Sequence, residues 1–135
     1  MNSGYCPEIK PLNIDLSKYD EVILGTPVWW YTFAPAMHTF LKENDLSGKT
    51  VYPFATNGGW IGHTFKDFAN ACGTADVKQG MNIRFDESVL RTPKSEIQKW
   101  IDSIKISLSV MRFYRKNKKT VQPIMVVQFL FYMLF

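Results

Sequence analysis

Two short clusters hold the residues best placed to do chemistry: Thr26-Pro27-Val28-Trp29-Trp30 and Thr56-Asn57-Gly58-Gly59-Trp60. Trp29, Trp30 and Trp60 offer flat aromatic faces, and Thr26, Thr56 and Asn57 offer hydrogen-bonding groups. Gly58 and Gly59, without side chains, let backbone N–H groups approach a ligand closely. This set suits a flat, mostly apolar ring with a polar edge, and a flavin is such a ring. The competing reading is structural, because large aromatics often only cover a core.

The other reactive side chains are less suggestive. Cys6 and Cys72 match no metal or redox spacing and read as free thiols of a reducing cytosol. His38 and His63 have no sequence neighbour that defines a triad or a metal site, so both are expected to be solvated or structural. His63 and Cys72 are separated by more than two turns of the helix expected there, too far for a nucleophilic pair. Asp86-Glu87 reads as a solvated loop. The stretch from Thr56 to Gly62 lacks the Gly-Lys-Ser/Thr ending of a nucleotide phosphate loop and is not G-x-G-x-x-G.

The elements that must position these clusters follow from periodicity and turn residues. Val22-Ile23-Leu24 is a short apolar run between Asp20-Glu21 and Gly25, fitting a strand covered on both faces. Pro27 biases Thr26 away from helix, so the chain is expected to leave the strand in an extended turn after Gly25. Pro35 suits a first helical position, with Ala36, Met37, Phe40 and Leu41 at helical spacing up to Asn44. Thr50 to Ala55 reads as a second strand, in which Pro53 argues for an edge or a bulge. A helix is expected from His63 to Cys72, burying Phe65, Phe68, Ala69 and Cys72. A third strand, interrupted or bulged at Gly80, is expected within Val77 to Phe85. Thr92-Pro93 reads as cap and first position of a last helix with Ile97, Trp100, Ile101 and Ile104 buried. Residues 1 to 18 are read as irregular, with Ile9, Leu12, Ile14 and Leu16 against the domain surface. Alternating strands and helices of this kind predict an α/β doubly wound parallel sheet. Ligands bind such sheets at the carboxyl ends of strands, where both clusters fall.

In this order, Tyr19-Asp20, Gly25-Thr26-Pro27-Val28-Trp29, the Leu46-Ser47-Gly48-Lys49 turn before a strand, and Thr56-Asn57-Gly58-Gly59 before a helix resemble the flavodoxin family. The similarity covers about residues 12 to 104. It implies a flavodoxin-like sheet and FMN held without covalent attachment, its ring between residues 26–31 and 56–61. It implies a flavoprotein of electron transfer, either a carrier working with a redox partner protein or a small flavin or quinone oxidoreductase. The alternative is a cofactor-free remnant or interaction module of the same fold. Reduced flavin is anionic, and neither cluster contains Lys or Arg, which fits a low-potential carrier.

The departure from the family lies at the start of the chain. Flavodoxins open with a strand and a threonine- and serine-rich phosphate loop at a helix N-terminus, and residues 1 to 18 are too short for these parts. By the family pattern the chain begins just before the third strand, as an N-terminally incomplete domain. The family's sheet order would place the missing first strand beside Val22 to Leu24. That leaves an apolar edge which invites self-association. Each charge-assisted bond of a phosphate site contributes roughly 1.5–3 kcal/mol, so FMN affinity is expected to be low.

Charge divides the chain. Residues 1–105 hold eleven basic and all twelve acidic residues, whereas Arg112, Arg115, Lys116, Lys118 and Lys119 form one basic run. The basic balance therefore describes a tail, residues 106–135, beyond a near-neutral partial domain, residues 1–105, and does not point to nucleic acid. Three accounts of the tail are open: a membrane-surface anchor, a strand covering the open edge, or an out-of-family terminus from a truncated or frame-altered gene, the last being favoured. The absence of a signal-like opening or a full apolar span leads to a cytoplasmic expectation.

Overall fold

The run Val22-Ile23-Leu24 opens a strand that does not stop at Gly25: β1 (Glu21–Trp29) continues through Pro27 to the first tryptophan. The computed structural model describes the backbone of residues 5–115 and 125–128 and the side chains of residues 5–104. After β1 come β2 (Thr32–Phe33), α1 (Pro35–Glu43), β3 (Thr50–Asn57) and α2 (Thr64–Ala71). The chain goes on through β4 (Asp76–Val77), β5 (Met81–Asp86), β6 (Val89–Leu90), α3 (Lys94–Arg115) and β7 (Met125–Gln128). A 3-10 turn, Leu16–Lys18, lies within the stretch read as irregular. There Ile9 and Leu16 lie against the core, while Leu12 and Ile14 are exposed.

β1 and β3 pair in parallel from Glu21↔Thr50 to Pro27↔Thr56. β3 pairs in parallel with β4 and then with β5, and β2 and β6 add antiparallel hairpins to β1 and β5. Side chains alternate across this sheet. Val22, Leu24 and Val51 face α1 and α2, forming one buried cluster with Met37, Phe40 and Phe68. Tyr52 and Phe54 alternate with Val51, and the Phe54 ring meets Trp100 of α3 edge-on at 6.1 Å. Helices thus cover both faces, giving the α/β flavodoxin-like arrangement expected.

Pro53 is not at an edge. It pairs with Leu24 in the middle of β3 and is fully buried. The ladder on the other side of β3 is interrupted there: β4 pairs with Thr50 and Val51, and β5 resumes at Phe54. A residue without an N–H costs least where a ladder has a gap. Gly80 lies in the same gap, as expected from sequence, and a Cβ there would run into the Phe65 ring.

Two helix readings need correction. In α2 the buried line is Thr64, Phe68 and Cys72, and Ala69 is exposed. Thr92 does not serve as a cap, because its Oγ1 accepts the Arg84 N–H at 2.7 Å and lies 3.3 Å from the Asn82 carbonyl. The hydroxyl ties the entry of α3 to β5. The buried side chains of α3 include Ile104.

The edge of β1 expected to be open is paired within the chain: Val22, Ile23, Leu24 and Gly25 lie in parallel register with Met125, Val126, Val127 and Gln128. These four residues of the tail take the place that the covering-strand account gives them. The readings of residues 116–124 and 129–135 lie outside the described residues. α3 runs through residue 105, where the division of the chain was expected. No helix of the described residues is long and apolar enough to cross a membrane.

Gly25 lies where the Phe54 ring crosses β1, and a Cβ there would overlap that ring. Gly25→Ala is expected to destabilise the fold by about 1–3 kcal/mol through overpacking, read as a lower urea midpoint.

Candidate functional site

Thr26, Pro27, Val28 and Trp29 belong to β1 itself, not to an extended loop beyond it. Pairing of Trp29 with Thr32 leaves Trp30 and Tyr31 as a two-residue hairpin turn. Both have left-handed backbone angles, φ 50° and 70°. This is the turn geometry that Asn-Gly adopts easily and that costs bulky residues on the order of 1 kcal/mol each. The strain sets Trp30 at the hairpin tip with 75% of its surface exposed.

The second cluster follows β3 and is held by its own side chains. The Asn57 amide donates to Asn82 Oδ1 at 2.5 Å, and its Oδ1 accepts the Gly59 N–H at 2.9 Å. Asn57 and the Gly59 N–H are therefore engaged in shaping the loop. Gly59 has φ 134°, and Gly58 has open space where a Cβ would stand. Trp60 is 71% exposed. Thr56 pairs with Pro27 and Ile83 inside the sheet.

The two clusters dock on one another. The Tyr31 carbonyl accepts the His63 N–H at 2.8 Å, and the Tyr31 and Trp60 rings meet edge-on at 5.9 Å. Gly62, at φ 58°, permits this contact, since a Cβ there would collide with the Tyr31 backbone. The result is a joined pair of strand ends presenting Trp30 and Trp60 to solvent. Thr26 lies inward: its Oγ1 donates to the Pro27 carbonyl at 2.9 Å and accepts the Ala34 N–H at 3.1 Å. Its hydroxyl braces the hairpin against the start of α1.

Three neighbours were missed in the sequence. Arg84 on β5 brings its guanidinium against Gly59, with Nε 3.5 Å from where a Cβ would be. A cation thus stands beside a cluster that contains none of its own, which removes the basis for expecting a low potential. His63 Nδ1 lies 2.5 Å from Asp67 Oδ2, and the Thr32 hydroxyl donates to the same oxygen at 2.5 Å. The four-residue spacing of His63 and Asp67 was visible in the sequence. His38 Nδ1 lies 3.4 Å from Cys6 Sγ, a pairing across 32 residues that no local signal announces. Burial pushes the Cys72 thiol up to about 11, so it is a core side chain and not a nucleophile at neutral pH. Among the described residues, no three His, Cys, Asp or Glu side chains are grouped to hold a metal.

A family model described as flavodoxin matches residues 2–104. Among solved structures, a candidate flavoprotein from Bacteroides eggerthii is 32% identical, with a TM-score of 0.60, over 75% of this chain and 60% of that one. A second, from Bacteroides uniformis, is 28% identical with a TM-score of 0.56, over 65% of this chain and 58% of that one. A flavoprotein from Lactobacillus acidophilus in complex with FMN is 29% identical with a TM-score of 0.51, over 70% of this chain and 57% of that one. The chain thus spans 57–60% of the length of these structures. No curated protein matches it.

Gly62 and Gly73 have similar left-handed angles, φ 58° and 61°, but only Gly62 has a neighbour that a Cβ would strike. Gly73→Ala is expected to cost about 1 kcal/mol and Gly62→Ala about 2 kcal/mol more, both read by urea unfolding. The Gly62 variant alone should shift tryptophan emission as Trp60 separates from Tyr31.

Proposed function

Because the chain belongs to the flavodoxin family, we propose that it binds the ring of FMN against the Trp30 hairpin tip and the Asn57–Trp60 loop and takes part in electron transfer. The observation that carries this reading is the docking of two aromatic strand ends at the carboxyl edge of a parallel sheet, with Trp30 and Trp60 exposed together. Buried core aromatics would not be held out in this way at the expense of two left-handed backbone positions. The FMN complex of the Lactobacillus acidophilus protein supports FMN as the flavin.

The described residues fit a flavin ring better than a flavin phosphate. The exposed indoles offer stacking faces, and the open space at Gly58 admits a close ligand edge. Among the described residues, no threonine- and serine-rich loop leads into α1, α2 or α3 to take a phosphate dianion. FMN, when bound, supplies the redox chemistry, and the residues around it bind, orient and tune. Trp30 and Trp60 would limit water at the ring faces, and Asn57 would keep the loop in place. Arg84 would add positive potential beside the ring.

Titration with FMN and with riboflavin, followed by flavin fluorescence, tests this reading. Both ligands are expected to bind weakly and within about threefold of each other, because little of the affinity comes from phosphate. Trp30→Ala and Trp60→Ala should each weaken binding by about tenfold, the worth of one stacked aromatic contact. No quenching by either flavin up to millimolar ligand would sink independent cofactor binding and leave the cofactor-free alternative.

In the flavin-loaded protein, Arg84→Gln is expected to lower the potential of flavin reduction by about 30 mV, the size of one solvent-screened charge at short range. A spectroelectrochemical titration reads this directly, and an unchanged potential would place the guanidinium away from the ring.

A further inference from the structure

A groove of about 530 Å³ runs along the other side of the aromatic hairpin, between β2, α1 and α2. Its apolar wall includes Tyr5, Trp29, Trp30 and Phe33, and its polar wall His63, Asp67 and Asn70. Of the second cluster, Asn57 to Trp60, none lines it. The groove shares Trp30 with the proposed flavin seat, whereas Trp60 belongs to that seat alone and Trp29, His63, Asp67 and Asn70 to the groove.

The lining groups restrict what it accepts. No Lys or Arg lines the groove, and beside the His38 and His63 imidazoles a phosphate or carboxylate would meet no permanent positive charge. Asp67 is its formally charged carboxylate, and Oδ2 is engaged by both the Thr32 hydroxyl and the His63 ring. That oxygen is committed within the protein, and the charge it carries is shared with the His63 ring. Because the carboxylate accepts, His63 Nδ1 carries the proton, and in the neutral imidazole Nε2 is then an acceptor. With His63 half-exposed at the groove, this acceptor stands beside aromatic walls suited to a flat ring.

We propose that this groove is a second binding site, taking a neutral, planar hydroxyaromatic compound whose O–H donates to His63 Nε2. The ring lies against Trp29 and Trp30, and Asp67 fixes the imidazole tautomer that receives the hydroxyl. Asn70, which lines the same groove, offers a second polar group to the ring's oxygen edge. The site does not depend on flavin binding, so its failure and that of the proposed function are separable.

Calorimetric titration of the full chain with 2-naphthol tests the proposal, with 2-methoxynaphthalene and 2-naphthyl phosphate as ring-matched comparisons. Saturable one-to-one binding of 2-naphthol is expected. The methoxy compound, which cannot donate, and the phosphate, which is anionic, should each bind at least tenfold more weakly. His63→Ala keeps the backbone N–H that bonds Tyr31, and it should weaken 2-naphthol by about tenfold and remove its advantage over the methoxy compound. Asn70→Ala should weaken 2-naphthol by a smaller factor, without removing that advantage. Equal binding of all three compounds, or unchanged binding by His63→Ala, would overturn the proposal. So would one-for-one competition between 2-naphthol and riboflavin with His63→Ala weakening both alike, which would make the groove the flavin seat itself.

Discussion

The hydrogen bond from the His63 N–H to the Tyr31 carbonyl joins what β1 carries beyond the sheet to what β3 carries beyond it. Parallel register brings Pro27 beside Thr56, but register alone would leave two separate loops above the strands. The bond forms because Gly62 presents no side chain to the Tyr31 backbone. Its consequences reach the start of α2, where His63 sits one turn before Asp67, and Asp67 in turn takes the Thr32 hydroxyl from the far side of the hairpin. Backbone strain at Trp30 and Tyr31 is thus balanced by a closed ring of contacts through β2 and α2.

Much of this was legible in the sequence. Apolar periodicity located the strand at Val22, the α1 stripe and the β3 strand, because burial against a single core imposes those periods. The interruption at Gly80 was legible as a break in β pattern, and the gap it marks explains why Pro53 is accepted in the middle of a sheet. The continuation of β1 to Trp29 was not legible. A tight hairpin normally announces itself by Asn-Gly, and here Trp-Tyr occupies the left-handed positions. Turn chemistry was therefore silent where tertiary contacts decided the backbone.

The electrostatic environment was the least legible part. Arg84 stands twenty-five residues from Gly59 in sequence, and only the pairing of Asn57 with Arg84 across β3 and β5 brings it there. Thr92 illustrates the same limit. By local rules a Thr-Pro pair reads as a helix start, yet the hydroxyl finds a β5 N–H instead. Both positions were set by partners chosen by the sheet, which no window of neighbouring residues contains. The outcome is a cationic contact beside the second cluster and a groove beside the first that is lined by no Lys or Arg.

The pairing of β7 with β1 also has a bearing on how the chain reaches its fold. Val22 and Met125 are neighbours in register although about a hundred residues separate them. Closing so long a loop delays contact formation, and parallel pairing of distant segments is intrinsically slow. During synthesis β1 can meet β3 well before Met125 to Gln128 leave the ribosome, so its outer edge waits longest for a partner. Over that interval the backbone of Val22 to Gly25 is a template for any extended segment nearby, and the order of emergence becomes as important to a clean product as the stability of the finished sheet.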